Sequence, residues 1–211
     1  MKPIIFARVA DMKWYQGTND NDEPKNGGRY VKETGYADEN CNFLPVYLED
    51  DPEPYCFGFV MTQNYHQIHL ENIIGCELLK KEESVDGVTV VFCSTREAGK
   101  GSKYMRVVGF YKNATVFRNR CRCNIEDGYW QEFSFIAKTK DCVLIPYTER
   151  YKHSEWFVPS ANDPQYGFGF GRSNIWYANK YMDNPALREY LEKMIDATDN
   201  YSGRNDIWEE E

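Results

Sequence analysis

The chain has 211 residues, 42% of them hydrophobic and 27% charged, which is enough to bury a core without disulfide staples. Sixteen Tyr, twelve Phe and five Trp make it 16% aromatic, favouring a β-rich fold with ring-lined surfaces. A net charge of −8 excludes a general polyanion binder that lives on phosphate neutralisation, but not a local basic stripe. No apolar run approaches the ~20 residues of a membrane span, so no membrane partner is expected. Lys2-Pro3 leads straight into a short apolar strand rather than a secretory leader. Seven Cys without framework spacing fit reduced, mostly buried thiols and a cytoplasmic protein.

Ile4 to Ala10 reads as the first strand. Residues 11–43 are rich in Gly, Asn and Asp and predict a long, functional loop. Cys56 to Met61 predicts a short strand, and His66 to Ile74 a short helix. Asp86-Gly87 signals a turn before the β-branched strand Val88 to Cys93. A polar loop from Glu97 to Ser102 precedes a strand from Tyr104 to Tyr111, where Met105, Val107 and Gly109 alternate against Arg106, Val108 and Phe110. Gly109 suits a bend or a close backbone approach. Thr115 to Phe117 extends or restarts the strand after Asn113, and Tyr129 to Ala137 and Cys142 to Ile145 follow, separated by a turn from Lys138 to Asp141.

A helix is marked after Asn184, with Asn184 as cap and Pro185 at the first position. Leu187, Tyr190, Leu191, Met194 and Ile195 share one apolar face, Glu189 and Lys193 pair outside, and the helix ends near Asp199. No repeat or linker divides the chain, so one domain is expected over 1–211. Its barrel-like part covers about 1–145, and a loop region with a closing helix covers about 146–200. The class is α+β, a small bent β-barrel with long loops and a C-terminal helix.

Two glycine-and-aromatic segments, Gly109 to Ala114 and Gly167 to Tyr177, set flat rings beside residues that permit close approach. Trp14, Tyr15, Tyr111, Trp176 and Tyr177 are the candidates to wall a stacking slot, where one base on one ring contributes ~1–3 kcal/mol. Asn113 and Asn174 offer donor and acceptor to a base edge, and Ser173 one contact more. The alternative is that the rings fill the core and the Asn residues make turns. Lys100, Lys103, Arg106, Lys112, Arg118, Arg120 and Arg122 lie in an acid-free run. Of these, Lys112, Arg118, Arg120 and Arg122 are the candidate phosphate contacts. The three arginines alternate, so an extended strand presents them to one face; a charge-guarded edge strand is the alternative.

No metal or cofactor is expected. His66 and His69 are two ligands without partners, and Cys121-x-Cys123 lacks the spacing of a zinc knuckle. Gly167-x-Gly169-x-Gly171 neither follows a clear strand nor opens a capped helix, so it is not read as a phosphate loop. The acids Asp20, Asp22, Glu49, Asp50 and Asp51 read as solvated, and Cys93-Ser94-Thr95 as the end of a buried strand rather than a nucleophile elbow.

The order from Asp86 to Tyr111, a polar turn, an apolar strand, a basic loop and a Gly-bearing strand, resembles the middle of the PUA-like barrels, including the EVE and YTH groups, over about Ile4 to Leu144. In those groups such a strand pair leads to a pocket that reads an extruded, often methylated, base. A second resemblance is closer in letters. Trp14-Tyr15-Gln16-Gly17, Gly27-Gly28 with Tyr30-Val31, Asn42-Phe43, the run from Val107 to Arg118 and the run from Gly171 to Ala178 look like an uncharacterised bacterial module associated with nuclease-linked and genome-defence proteins. That module spans nearly the whole chain and brings no assigned catalytic residue; this copy is expected to act without a nuclease domain of its own.

Together these features point to a nucleic-acid recognition module, for DNA or RNA, that reads a modified or extruded base; no catalytic function is legible in the residues. The alternative is a protein-interaction or regulatory subunit of a bacterial defence system, docking through aromatic loops. A third is a hydrolase using His66 or His153.

Overall fold

β-branched and aromatic residues dominate the middle of the chain, and there they pair into its longest hairpin, between β3 (Ser84–Ala98) and β4 (Ser102–Glu126). The computed structural model describes residues 1–49, 51–62, 67–98, 102–126 and 129–208. The remaining strands are β1 (Ile4–Val9), β2 (Tyr55–Gly58), β5 (Tyr129–Lys138), β6 (Cys142–Leu144), β7 (Phe157–Val158) and β8 (Ile175–Trp176). The helices are α1 (Gly28–Thr34) and α2 (Pro185–Asp199).

Among the described residues the eight strands form one mixed sheet, in the order β2-β5-β4-β3-β1-β8. On the side of β4 away from β3 lie β7 at Met105 and Arg106, β6 at Gly109 to Tyr111, and β5 from Thr115 onward. Among the strands of the described residues β1 and β3 are the one parallel pair, from Ile4 opposite Thr89 to Val9 opposite Ser94. The fold is α+β with a C-terminal helix, as expected, but the sheet ends at β2 and β8 and does not close into the predicted barrel.

The sheet carries a hydrophobic core on each face, instead of one barrel interior. Ile5, Ala7 and Val9 of β1 join Val88, Val90, Phe92 and Tyr111 in the first core, covered by Met12, Tyr15, Phe43, Ile68 and Leu70. Ile4 and Phe6 join Val91, Val107 and Phe110 in the second, covered by Trp156, Phe168, Phe170 and the Leu187, Leu191 and Met194 face of α2. Period-two alternation of β1 therefore supplies both layers. The predicted long loop is a covering layer. Within it α1 buries Val31, an apolar face one residue wide that periodicity does not reveal.

Two expectations about strands change, and one left open is settled. The alternation predicted for β4 breaks at a bulge between the pairs Phe92–Gly109 and Cys93–Val107, so Phe110 shares a face with Val107. Of the two readings at Asn113 the strand takes the continuous one, with Asn113 at φ +52° in a second bulge. Asp86-Gly87 is an irregularity inside β3 with Gly87 at φ +75°, not a turn between elements. The predicted helix from His66 to Ile74 is one 3-10 turn, Leu70–Asn72; His66 lies outside the described residues, as do Asp50 and Lys100.

The close approach predicted at Gly109 is real, since a Cβ there would stand 2.4 Å from the Val143 carbonyl oxygen and 2.6 Å from Phe43 Cζ. Helix α2 begins as expected. Pro185 fills its first turn, and Asn184 Oδ1 accepts the Leu187 N–H at 3.1 Å. All seven Cys are free thiols, five buried and two half-buried. Among the described residues no helix is long and apolar enough to cross a membrane.

Candidate functional site

The predicted stacking residues are not brought together. Tyr111 and Tyr15 are fully buried in the first core. The Tyr111 hydroxyl donates to the Asn42 carbonyl, and its ring meets Phe92 edge-on at 4.8 Å. The Tyr15 hydroxyl donates to the Ala10 carbonyl at 2.6 Å. Trp176 lies on the opposite face, 4.6 Å from Phe6 and packed against Phe168, Phe170 and Tyr190. Tyr177 turns the other way, against the first core, and its hydroxyl accepts the His69 N–H at 2.9 Å. Trp14 is half-buried, with the Lys13 ammonium 3.5 Å from its ring centre. Successive strand residues point to opposite faces, so the sheet itself separates Trp176 from Tyr15 and Tyr111.

The predicted edge readers hold structure. Asn174 spends both ends of its amide, donating to the Met61 carbonyl at 2.9 Å and accepting from Arg8 Nε at 3.0 Å. Ser173 Oγ accepts the Ile175 N–H at 3.1 Å. Asn113 is exposed and reaches Asp141 at 3.3 Å.

The predicted phosphate row is broken as well. Between the pairs Val116–Phe135 and Cys121–Phe133, β4 holds several more residues than β5, and the regular alternation of the arginines ends there. Arg118 turns inward, 8% exposed, and donates to the Leu79 carbonyl at 2.6 Å, the Glu82 carbonyl at 2.8 Å and Glu71 at 3.0 Å. The Glu71 carboxyl is held down to about 2, first by its own backbone N–H and then by Arg118. Arg120 and Arg122 both clamp Glu132, each at 2.7 Å. Lys112 stands half-buried beside Asn113. His153 is exposed between Glu149 at 3.3 Å and Glu155 at 3.8 Å. Among the described residues no group of three His, Cys, Asp or Glu is arranged to hold a metal.

A cleft of about 810 Å³ forms elsewhere, at the carboxyl ends of the parallel strands β1 and β3. Such strand ends are where open sheets with parallel strands offer ligand sites. Arg8, Val9 and Ala10 line it from β1, Thr95 from β3 and Asn174 from the turn before β8. The other wall comes from the covering layer: Lys25, Tyr30 and Lys32 around α1, then Asp38, Glu39 and Met61. Paired backbone bonds between Asp11 and Lys25, at 2.6 and 2.9 Å, join the two walls. Gly27 lets α1 approach, since a Cβ there would stand 2.3 Å from Val31 Cγ2 and 2.9 Å from Ala10 Cβ.

Glu39 is 9% exposed, and its Oε1 accepts the Ala10 N–H at 2.7 Å. Burial pushes its carboxyl above the usual range. Burial, and next the Glu132 charge, push Asp38 up too. The Tyr30 ring is 53% exposed. Behind the cleft Asp11 is buried, accepting from Ser94 at 2.8 Å and from the Tyr147 and Tyr151 hydroxyls at 3.3 Å each. The fully buried Arg150 donates to the carbonyls of Ile145, Met12 and Lys13 at 2.8, 2.6 and 2.6 Å. This satisfied polar network makes a rigid floor.

Of the candidate site residues read from the sequence only Asn174 lines this cleft; Gly27, Gly28, Tyr30 and Val31 entered only through the module resemblance. One signal for Arg8 was present, a single arginine in the apolar strand Ile-Ile-Phe-Ala-Arg-Val. Nothing local marks Glu39. Compared with known proteins, the chain matches no family model, no curated protein and no solved structure.

Proposed function

We propose that this domain recognises nucleic acid by taking one base into the cleft between β1, β3 and α1, as part of a cytoplasmic bacterial defence function. The observation that carries the reading is the mix of groups on the cleft wall: an exposed ring at Tyr30, polar groups at Glu39 and Thr95, and lysines 25 and 32. The volume, about 810 Å³, falls within the ~300–1,000 Å³ of small-ligand sites. A base stacked on Tyr30 gains ~1–3 kcal/mol. Extruding a base costs a few kcal/mol, so single strands and weakly paired sites are favoured.

The test is fluorescence polarisation with labelled single-stranded DNA and RNA, plain or bearing methylated cytosine or adenine, at low and high salt. Saturable binding that weakens with salt is expected, reduced ~5- to 150-fold by Tyr30→Ala. An exposed ring can be removed without unfolding the domain, so unchanged binding in the folded variant refutes the reading. The partner-docking alternative draws support from Trp130, 63% exposed opposite Asn124 near the end of the β4–β5 hairpin; it predicts no strand binding at any salt.

A further inference from the structure

We propose that Arg8 is an anion subsite of this cleft, pre-set to hold a phosphate group. The inference rests on the base-binding reading above and names a second group of the same ligand, the phosphate next to the bound base.

Arg8 is aimed by neutral acceptors only. Its Nε donates to Asn174 Oδ1 at 3.0 Å, Nη1 to the Gly171 carbonyl at 3.4 Å, and Nη2 to the Arg172 and Ser173 carbonyls at 3.2 Å each. A guanidinium carries five N–H donors, and these four bonds leave one on Nη1, whose existing bond is the longest of the set. Among the described residues no carboxylate forms an ion pair with Arg8. The guanidinium carbon stands 5.5 Å from the centre of the Phe170 ring, and burial pulls the group's pKa down. A partly desolvated charge without a counter-ion is costly, and an entering anion offsets that cost.

The surroundings favour the same ligand. Lys25 and Lys32 are exposed on the cleft, and neither forms an ion pair among the described residues. The two cleft acids, Asp38 and Glu39, are pushed toward their neutral forms by burial. Arg8, Lys25 and Lys32 set three cations against these two carboxyl groups on the cleft, on a chain of net charge −8. Arginine held along its Nε and Nη2 sides keeps the remaining Nη1 N–H in a fixed plane, a single charge-assisted donor for one phosphate oxygen.

The competing role is a tether pinning the turn 171–174 to β1. Pyrophosphate titration by calorimetry, on the full chain, separates the two. Pyrophosphate binds the wild type and loses about tenfold or more in affinity in Arg8→Gln. Asn174→Ala, which loosens the guanidinium but keeps its charge, gives a smaller loss. Because Arg8→Gln also removes the tether, a second measurement uses the wild type alone: pyrophosphate shields Arg8 from phenylglyoxal, read by peptide mass. No binding to the wild type, equal affinity in a folded Arg8→Gln, or no shielding overturns the subsite. Tyr30-dependent strand binding without a pyrophosphate effect overturns the subsite and leaves the base reading standing. Arg8-dependent pyrophosphate binding without strand binding does the reverse.

Discussion

Replacing Arg118 by Met tests whether this arginine holds the fold or meets phosphate. The guanidinium is 8% exposed and donates to two carbonyls, Leu79 at 2.6 Å and Glu82 at 2.8 Å. Its backbone adds bonds to Glu83 and Ile68 at 2.8 and 2.9 Å, so residue 118 pins the covering segment 67–83 to the bulge in β4. Met keeps an apolar stem but leaves both carbonyls without that donor, at ~1–3 kcal/mol each. The expected loss is ~2–5 kcal/mol, a large share of the ~5–15 kcal/mol of a typical domain. With a slope of ~2–3 kcal/mol per molar, the urea midpoint falls by about 1–2 M.

Circular dichroism against urea reads the midpoint, and strand binding is measured in parallel where the variant is folded. The same site shapes the acid response. The Glu71 carboxyl is lowered from 4.5 to about 2. Its stabilisation is thus fully present above the ordinary carboxylate range and is lost as pH falls from there through about 2. Arg118→Met reduces this loss without abolishing it, because the backbone N–H of Glu71 is the larger cause. An unchanged urea midpoint together with lost strand binding would sink the structural assignment and restore the phosphate role.

Gly109→Ala places a methyl 2.4 Å from a backbone oxygen that cannot rotate away; a loss of ~1–3 kcal/mol is expected, seen as a melting point lower by about 2–10 °C. A melting point equal to wild type would mean that β4 and β6 lie farther apart there. Asn184→Ala removes the cap on Leu187 N–H and costs ~1 kcal/mol, while Asn184→Asp retains most of it; equal stability of all three would show that the first turn of α2 is held by other contacts.

The likeliest parts of the chain to be misread were those whose neighbours are far away in sequence. The rings at 111 and 176 were grouped by composition, yet each follows its own strand to a different face. The arginines at 118, 120 and 122 were grouped by spacing, yet a bulge interrupts that spacing and Glu71 and Glu132 neutralise what it displaced. Bulges depend on how two strands are paired, which a single strand does not encode.

Helix α2 was legible in full, from its Asn cap and first-turn Pro to its apolar face, because capping and helical period act within a few residues. The strand cores of β1, β3, β4 and β5 were legible for the same reason, as β-branched and aromatic runs. Tertiary structure alone decided that the sheet stays open, that residues 11–43 cover a core, and that Arg8, Glu39, Thr95 and Asn174 meet in one cleft. Arg8, Thr95 and Asn174 are joined by the parallel pairing of β1 with β3 and by the approach of β8, and Glu39 by its bond to the Ala10 N–H, contacts made across most of the chain, and no local pattern of residues carries them.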